Sequence, residues 1–249
     1  MSNRQFGRTR ALLALGIALL RVPQWLSCPA AKRRRHEQAF FARIVCGFGL
    51  NIVQTGTPSA QSGTLFIINH ISWVDIPVMM SILDADFIAK ADMRGWPMIG
   101  RLARRFNPVF VARERRLHCN AQVDAIRARL GADRSVILCP EGTTSDGAGI
   151  LPFRTSLLAA ADAARTIQPV VLSYLAPDGT ALSGDRQREV AWIDDDDLLS
   201  GATRLAKART LARVDFLPAV EATGDRKALG RDLRQRMLAA YAAAPKRPR

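Results

Sequence analysis

After residue 60, short runs of apolar residues alternate with longer segments in which apolar positions recur every three or four residues. The runs are three to six residues long, as is typical of buried strands. The predicted strands are 64–68, 87–89, 109–112, 136–138, 169–174, 188–193 and 212–216. The predicted helices are 73–83, 95–105, 116–130, 153–164, 196–209 and 226–242. Because βα units connect parallel strands, this alternation predicts an α/β fold with a mainly parallel β-sheet flanked by helices.

The first 55 residues have a different pattern. Residues 11–20 form an apolar run with arginines on both sides, and this run is shorter than the roughly 20 residues that a membrane span needs. A basic stretch at 32–35 precedes an apolar stripe at helical spacing, formed by Phe40, Phe41, Ile44, Val45 and Phe48. This order favours an interfacial membrane anchor, and the alternative is a helical hairpin packed on the core. We therefore predict an N-terminal helical membrane-association segment at 1–55 and an α/β domain at 56–249.

The charge of the chain narrows its possible partners. The 36 basic residues exceed the 22 acidic ones, which gives a net charge of +14, and the excess is concentrated in 1–50, 90–134 and 201–249. Such a chain is attracted to nucleic acid, an anionic membrane or an acidic carrier protein. We find no nucleic-acid-reading motif and no aromatic stacking platform, so no nucleic acid is expected as a partner. The expected partner is an anionic membrane surface.

Neither the cysteines nor the acidic run indicates a metal site. The four cysteines are scattered, without a CxxC motif or a Cys/His cluster, as suits a reducing compartment. The aspartates at 194–197 are interpreted as the solvated start of a helix, where acids favour the positive end of the helix dipole. We therefore expect no metal.

A histidine and an aspartate follow the predicted strand 64–68. His70 is a candidate general base because histidine titrates near neutral pH, and Asp75 would orient its ring and stabilise the imidazolium. On one helix a five-residue offset leaves two side chains about 140° apart. The pair can meet only if His70 lies in a loop and Asp75 in the first turn of the next helix, with Ser72 as the predicted N-cap.

Polar residues also follow three other predicted strands. Lys90 and Arg113 each end a strand, and Glu141, Gly142 and Thr143 follow strand 136–138. The planar fork of an arginine suits phosphate or carboxylate, and a glycine lets the backbone approach a ligand closely. Because ligands bind beyond the carboxyl ends of parallel strands, these residues are expected to share one site with His70.

Four short motifs follow one another within residues 60–195. The first consists of Asn69, His70 and Asp75, and the second of Phe110, Val111 and Arg113. The third consists of Pro140, Glu141, Gly142, Thr143 and Ser145. The fourth consists of Ile167, Pro169, Val170, Leu172 and Tyr174. In this order the four motifs resemble those of the glycerophospholipid acyltransferase family. The resemblance implies an acyltransferase domain in residues 56–249.

It also implies an O-acyltransferase that moves an acyl chain from acyl-CoA or acyl carrier protein to a lysolipid hydroxyl. The expected acceptor is 1-acyl-sn-glycerol-3-phosphate, giving phosphatidic acid in phospholipid biosynthesis at the cytoplasmic face of the inner membrane. His70 would be the base, Asp75 its orienting partner, and a backbone amide near the helix start the oxyanion donor. The acceptor would be oriented by Lys90, Arg113, Glu141, Gly142 and Thr143. No cofactor is required besides the acyl donor.

Two alternatives remain open. Thr144 stands where the family usually has an arginine associated with the acceptor's phosphate, and its loss removes a bidentate anion donor. This departure, with the following segment 145–154, favours the subgroup that acylates lyso-ornithine lipids, whose head group has no phosphate. The other alternative is not an enzyme but a non-catalytic protein that binds anionic membrane surfaces. A serine hydrolase is poorly supported, since Ser72 and Ser145 lie in no G-x-S-x-G motif.

Overall fold

A computed structural model of the chain describes residues 3–20, 29–90, 108–111, 116–193, 196–222 and 224–244. The strands of this part are β1 (Leu50–Thr55), β2 (Thr64–Ile68), β3 (Asp86–Lys90), β4 (Val109–Val111), β5 (Val136–Leu138), β6 (Thr166–Leu175) and β7 (Thr210–Phe216). Within these described residues they form one seven-stranded sheet in the order β1-β7-β6-β2-β5-β3-β4. Neighbouring strands are parallel except β6 and β7, so β7 and β1 run opposite to the others. The predicted α/β fold with a mainly parallel sheet is confirmed.

Helices cover the sheet on both sides. They are α1 (Asn3–Leu20), α2 (Ala30–Gly47), α3 (Asp75–Ile82), α4 (Arg116–Gly131), α5 (Gly184–Val190), α6 (Leu198–Leu205) and α7 (Arg226–Ala243). A 3₁₀ helix spans Leu157–Ala163, within the segment predicted as helix 153–164. The predicted helix at 95–105 lies outside the described residues.

Two predictions about regular structure fail. The strand predicted at 188–193 is wrong, because α5 occupies the first half of that segment and 191–193 form no regular structure. The helix begins where the Ser183 side chain accepts a hydrogen bond from the amide of Arg186. Strand β1 was not predicted at all. It lies at the edge of the sheet and buries only Leu50 fully, so it lacks the continuous apolar run of an inner strand.

The central strand β2 joins the two halves of the core. All five of its residues are buried. Phe66 and Ile68 pack with α3 on one face of the sheet, and Leu65 and Ile67 pack with α4 and α7 on the other. A parallel strand covered on both faces reads as a continuous apolar run, which is why its bounds were predicted correctly.

The N-terminal helices have separate roles in packing. In α2, Phe40, Phe41 and Val45 are buried against the core, so the prediction that this stripe faces a membrane is wrong and the alternative of a helix packed on the core is right for α2. Helix α1 packs along α2. The predicted domain boundary after residue 55 stays a prediction, although residues 50–55 are part of the sheet as β1.

Apolar exposure in this region is concentrated on α1. The large apolar residues that α1 exposes are Leu12, Leu13, Ile17 and Leu20, with exposed fractions of 70%, 62%, 49% and 78%. Among the described residues, no helix has the length and apolar content that crossing a membrane demands. The N-terminal anchor therefore remains a proposal, with α1 as its apolar surface.

The same Leu→Ala substitution should change the free energy of unfolding much more at a buried position in β2 than at an exposed position. Leu65→Ala removes a side chain with 0% exposure from the central strand, and we expect it to lower the free energy of unfolding by about 2–5 kcal/mol. Leu199→Ala, at a leucine that is 77% exposed, should change it by less than about 0.5 kcal/mol. Urea denaturation measures both. Equal effects would contradict this assignment of the core.

Candidate active site

The loop between β2 and α3 brings His70 and Asp75 together. His70 lies two residues after β2, and Asp75 is the first residue of α3. The Nδ1 atom of His70 is 2.7 Å from Oδ2 of Asp75. The expected meeting of the two side chains across a loop-to-helix turn is therefore confirmed. The predicted N-cap is wrong: Val74 occupies that position without a side-chain cap, and the amide of Ser72 donates to Asp75 instead.

The carboxylate of Asp75 is fully buried and collects hydrogen-bond donors. Within the described residues it accepts four: on Oδ2 from His70 Nδ1 at 2.7 Å, Ile71 N at 2.7 Å and Ser72 N at 2.9 Å, and on Oδ1 from the hydroxyl of Tyr174 at 2.5 Å. Burial, followed by the charge of Asp75, raises the pKa of Tyr174 well above its ordinary value. The phenol therefore stays protonated and donates.

These contacts determine the tautomer of His70. The Asp75 oxygens already accept from two backbone amides and a phenol, and a carboxylate has no proton to donate to Nδ1. The proton of neutral His70 therefore lies on Nδ1 and the lone pair on Nε2. The side chain of His70 is 13% exposed, so the ring is not sealed inside the protein.

Glu141 holds the backbone of His70. Its carboxylate is buried after β5, where Oε1 accepts from the amide of His70 at 2.7 Å and Oε2 from the amide of Leu151 at 2.8 Å. The carbonyl of His70 in turn accepts from the amide of Ser145 at 2.8 Å. The loop after β5 therefore fixes both backbone polar groups of His70.

Asn69 fastens the same loop from the other side. Its Nδ2 donates to the carbonyl of Leu172 at 2.9 Å, and its Oδ1 accepts from the Leu172 amide at 2.7 Å. This pair joins the end of β2 to β6, which also carries Tyr174. Neither Asn69 nor Tyr174 was predicted as a site residue, although both match the motifs from which the resemblance was drawn. Their membership of those motifs is the sequence feature by which they could have been assigned to the site.

Thr144 and Gly142 shape the loop after Glu141. The hydroxyl of Thr144 donates to the carbonyl of Trp192, whose amide donates to the carbonyl of Ile71 at 3.0 Å. Gly142 has a φ of 71°, and a Cβ there would lie 2.7 Å from Cδ and 2.8 Å from Nε of Arg154. The exposed side chain of Arg154 therefore passes directly over Gly142. Arg154 was not predicted as a site residue, although it ends the segment 145–154 that favours the lyso-ornithine lipid subgroup.

The remaining predicted residues differ in what the structure shows. Thr143 is exposed in the loop next to Gly142. Lys90 is the last residue of β3, at the same edge of the sheet as His70, and only its backbone is described. Arg113 lies outside the described residues. The predicted oxyanion donor is not among the first two amides after His70, because Ile71 and Ser72 use theirs on Asp75.

The fold and this site define an α/β protein in which a histidine is aligned by a buried aspartate. The sequence model of the Acyltransferase family matches residues 50–173. A lyso-ornithine lipid O-acyltransferase from Brucella abortus is 36% identical over 85% of this chain and 84% of its own length. A 1-acyl-sn-glycerol-3-phosphate acyltransferase from Neisseria meningitidis is 30% identical over 90% of this chain and 89% of its own. This chain belongs to the acyltransferase family, and it is an acyltransferase.

A solved structure has the same fold. The crystal structure of the 1-acyl-sn-glycerophosphate acyltransferase from Thermotoga maritima matches with a TM-score of 0.67 at 19% sequence identity. The match covers 99% of this chain and 96% of that one. This likeness concerns the fold alone and supports the arrangement of strands described above.

The environment of Glu141 predicts a pH-dependent stability. Burial raises the pKa of Glu141, although the two amides that it accepts oppose the shift. Because the pKa of Glu141 is higher in the folded than in the unfolded protein, protonation of Glu141 favours the folded state. This contribution to the free energy of unfolding is fully present below the ordinary pKa of 4.5 and is lost as the pH rises through the folded-state pKa. Glu141→Gln does not titrate, so its free energy of unfolding should improve relative to wild type as the pH rises above 4.5. Urea denaturation over a pH series measures this difference. If the difference in the free energy of unfolding between Glu141→Gln and wild type does not change with pH, the pKa of Glu141 is not raised in the folded protein.

Proposed function

We propose that this acyltransferase moves an acyl chain from an acyl thioester, acyl-CoA or acyl carrier protein, to the free hydroxyl of a lysolipid. The observation that supports it most is the orientation of His70, whose Nδ1 is held by Asp75 at 2.7 Å, which leaves Nε2 on the other side of the ring to act as the base. Family membership supplies the reaction class, and the relatives named above carry lysolipid acceptors in their names.

The proposed reaction is a direct transfer. Nε2 of His70 takes the proton of the acceptor hydroxyl as the oxygen attacks the thioester carbon, and Asp75 stabilises the imidazolium that forms. The tetrahedral intermediate then collapses, the C–S bond breaks, and the sulfur leaves as a thiolate that recovers the proton from His70. A thiolate is a good leaving group because the pKa of a thiol is only about 8.5. Glu141 acts in this scheme by holding the His70 backbone, since both of its carboxylate oxygens accept amides.

The role of the base is tested by His70→Ala. Loss of a general base should reduce kcat by roughly 10²- to 10⁴-fold. His36→Ala removes an exposed histidine from α2 and should leave kcat unchanged. Steady-state assays with a lysolipid and acyl-CoA measure both. A His70→Ala enzyme with nearly wild-type kcat would refute the proposed mechanism.

For the acceptor we propose a lyso-ornithine lipid, whose amino-acid head group carries a carboxylate and an ammonium. The relative from Brucella abortus has this acceptor in its name and is more similar to this chain than the Neisseria meningitidis relative. Thr144 supports the same proposal, because its hydroxyl is used on the carbonyl of Trp192 inside the protein. A short neutral side chain turned inward offers nothing to an acceptor phosphate.

Arg154 is the proposed partner of the acceptor carboxylate. Its amide donates to the carbonyl of Pro140 at 2.7 Å, which fixes the residue beside the end of β5, and its side chain crosses Gly142, the residue after Glu141. An exposed guanidinium at this place can bind a carboxylate through two parallel hydrogen bonds. Lys90, Arg113 and Thr143 remain proposed acceptor contacts.

Two acceptors offered in parallel test this choice. We expect the purified enzyme to acylate lyso-ornithine lipid with a higher kcat/KM than 1-acyl-sn-glycerol-3-phosphate, with either donor. Arg154→Gln should raise the KM for lyso-ornithine lipid by about tenfold or more, because a hydrogen bond to a charged group contributes about 1.5–3 kcal/mol. The KM for acyl-CoA should not change.

Arg165→Gln is the matched control, since Arg165 is an exposed arginine paired with Asp133 beyond the opposite end of β2 and β6. It should leave both KM values unchanged. Preferential use of 1-acyl-sn-glycerol-3-phosphate would show that the acceptor is the phospholipid precursor and would refute the argument from Thr144.

We also propose that the enzyme works as a peripheral protein on the cytoplasmic face of the inner membrane. Lysolipid substrates lie in the bilayer, the net charge of +14 favours an anionic surface, and α1 exposes four large apolar side chains.

A further inference from the structure

A basic cavity of about 630 Å³ lies beside α1, apart from the residues around His70. It is formed by the first half of α1, the segment after β6 and the turn that leads into β7. Its charged lining residues are Arg10, Arg186, Lys207 and Arg209, and no carboxylate is among the described residues that line it. We call this space the basic cavity.

The cations of the basic cavity are only partly neutralised by the protein. Glu189, next to the cavity, forms ion pairs with Arg186 and with Lys207, the latter at 3.2 Å. No ion pair is found for Arg10 or Arg209 among the described residues. The two guanidinium groups repel each other, and burial followed by this repulsion lowers the pKa of Arg10. Such an arrangement lacks a counter-charge.

Arg10 is built into the structure and is not a loose surface side chain. Its Nε donates to the carbonyl of Gly47 at 3.0 Å. Gly49 has a φ of 80°, and a Cβ there would lie 2.2 Å from Nη2 of Arg10, so only a glycine leaves room for the guanidinium. Nη2 is itself buried against Gly49 without a hydrogen-bond partner among the described residues. A buried donor without a partner is costly, so the protein holds Arg10 beside the cavity at an energetic cost.

The neighbouring surface of α1 indicates where the ligand comes from. Leu13 and Ile17 follow Arg10 at three and seven residues, so the three side chains lie on one side of the helix. Both are exposed, by 62% and 49% respectively. A cavity whose described lining has cations and no carboxylate therefore adjoins an apolar helix surface that no other described residues cover. The phosphate of a membrane phospholipid, with its acyl chains beside it, supplies both.

We propose that the basic cavity binds the phosphate head group of an anionic phospholipid, with Arg10 and Arg209 as its main contacts, while Leu13 and Ile17 enter the interface of the bilayer. This inference rests on the membrane association proposed above and names the site that carries it. The bound lipid is a structural lipid of the membrane, distinct from the acceptor that reaches His70.

Vesicle binding of the full-length protein tests the proposal. Wild-type protein should bind phosphatidylcholine vesicles that contain a minor fraction of phosphatidylglycerol more tightly than vesicles of phosphatidylcholine alone. Arg209→Gln should weaken this binding by about fivefold and Arg10→Gln with Arg209→Gln by about 25-fold, given about 1 kcal/mol for each basic residue near the surface. Arg209 is exposed and outside the helices, so its substitution alone keeps the test valid if Arg10→Gln loosens α1.

The control pair is Arg165→Gln with Arg231→Gln, which removes the same charge from exposed positions elsewhere. It should weaken binding by less than about twofold, since surface charges beyond a Debye length are screened. Equal losses in both pairs would overturn the proposal in favour of diffuse charge. Unchanged vesicle binding of Arg209→Gln, with a raised KM for acyl-CoA or for acyl carrier protein, would overturn it in favour of a donor site.

Activity on detergent-dispersed lysolipid separates this inference from the proposed function. We expect Arg209→Gln and wild type to have the same kcat there, because no bilayer is present. A wild-type protein that binds the anionic vesicles but acylates no lysolipid would refute the proposed function and leave the lipid site supported.

Discussion

The buried carboxylate of Asp75 is the feature on which the rest of the site depends. An ionised group without water loses hydration worth on the order of several kcal/mol, so it is retained only where donors replace the water. Here the replacement comes from the side chain of His70, from the amides of the β2–α3 loop and from the phenol of Tyr174 on β6. Satisfying one charge therefore fixes the loop conformation, the start of α3 and the direction of the imidazole at the same time.

A second group of contacts holds His70 from outside that centre. Glu141 and Ser145 bind its backbone amide and carbonyl, and Asn69 ties the preceding residue to β6. These contacts come from β5 and β6, the two strands that flank β2. The imidazole is thus positioned by three neighbouring strand ends, which is the rigid support that its proposed catalytic role requires. The raised pKa of Glu141 shows that this rigidity has an electrostatic cost, since its charge is buried close to that of Asp75.

The parts of the fold that were predictable are those in which local pattern and burial agree. β2 and β5 are apolar throughout because both faces are covered, and their bounds were predicted correctly. β1 has one covered face at the sheet edge, and its mixed composition hid it. The stripe on α2 was misinterpreted because a helix on a protein core and a helix on a membrane have the same apolar spacing.

The contacts of the site also divide into those that a local sequence pattern predicts and those that it does not. The meeting of His70 with Asp75 follows from five residues of sequence, but the contact between Tyr174 and Asp75 joins residues 99 positions apart. The position of Arg154 over Gly142 depends on how the loop after β5 returns to that strand, which no local pattern encodes. Long-range partners of a known residue therefore had to come from the structure.

Asp75 fixes the Nδ1–H tautomer of His70 and so leaves Nε2 as the proposed base. The ¹⁵N NMR spectrum of the histidine rings measures this tautomer, because the chain has only three histidines and a His70→Gln spectrum assigns the one in question. For neutral His70 we expect a protonated Nδ1 and an unprotonated Nε2. A neutral ring with its proton on Nε2 would show that Asp75 does not fix the tautomer in this way.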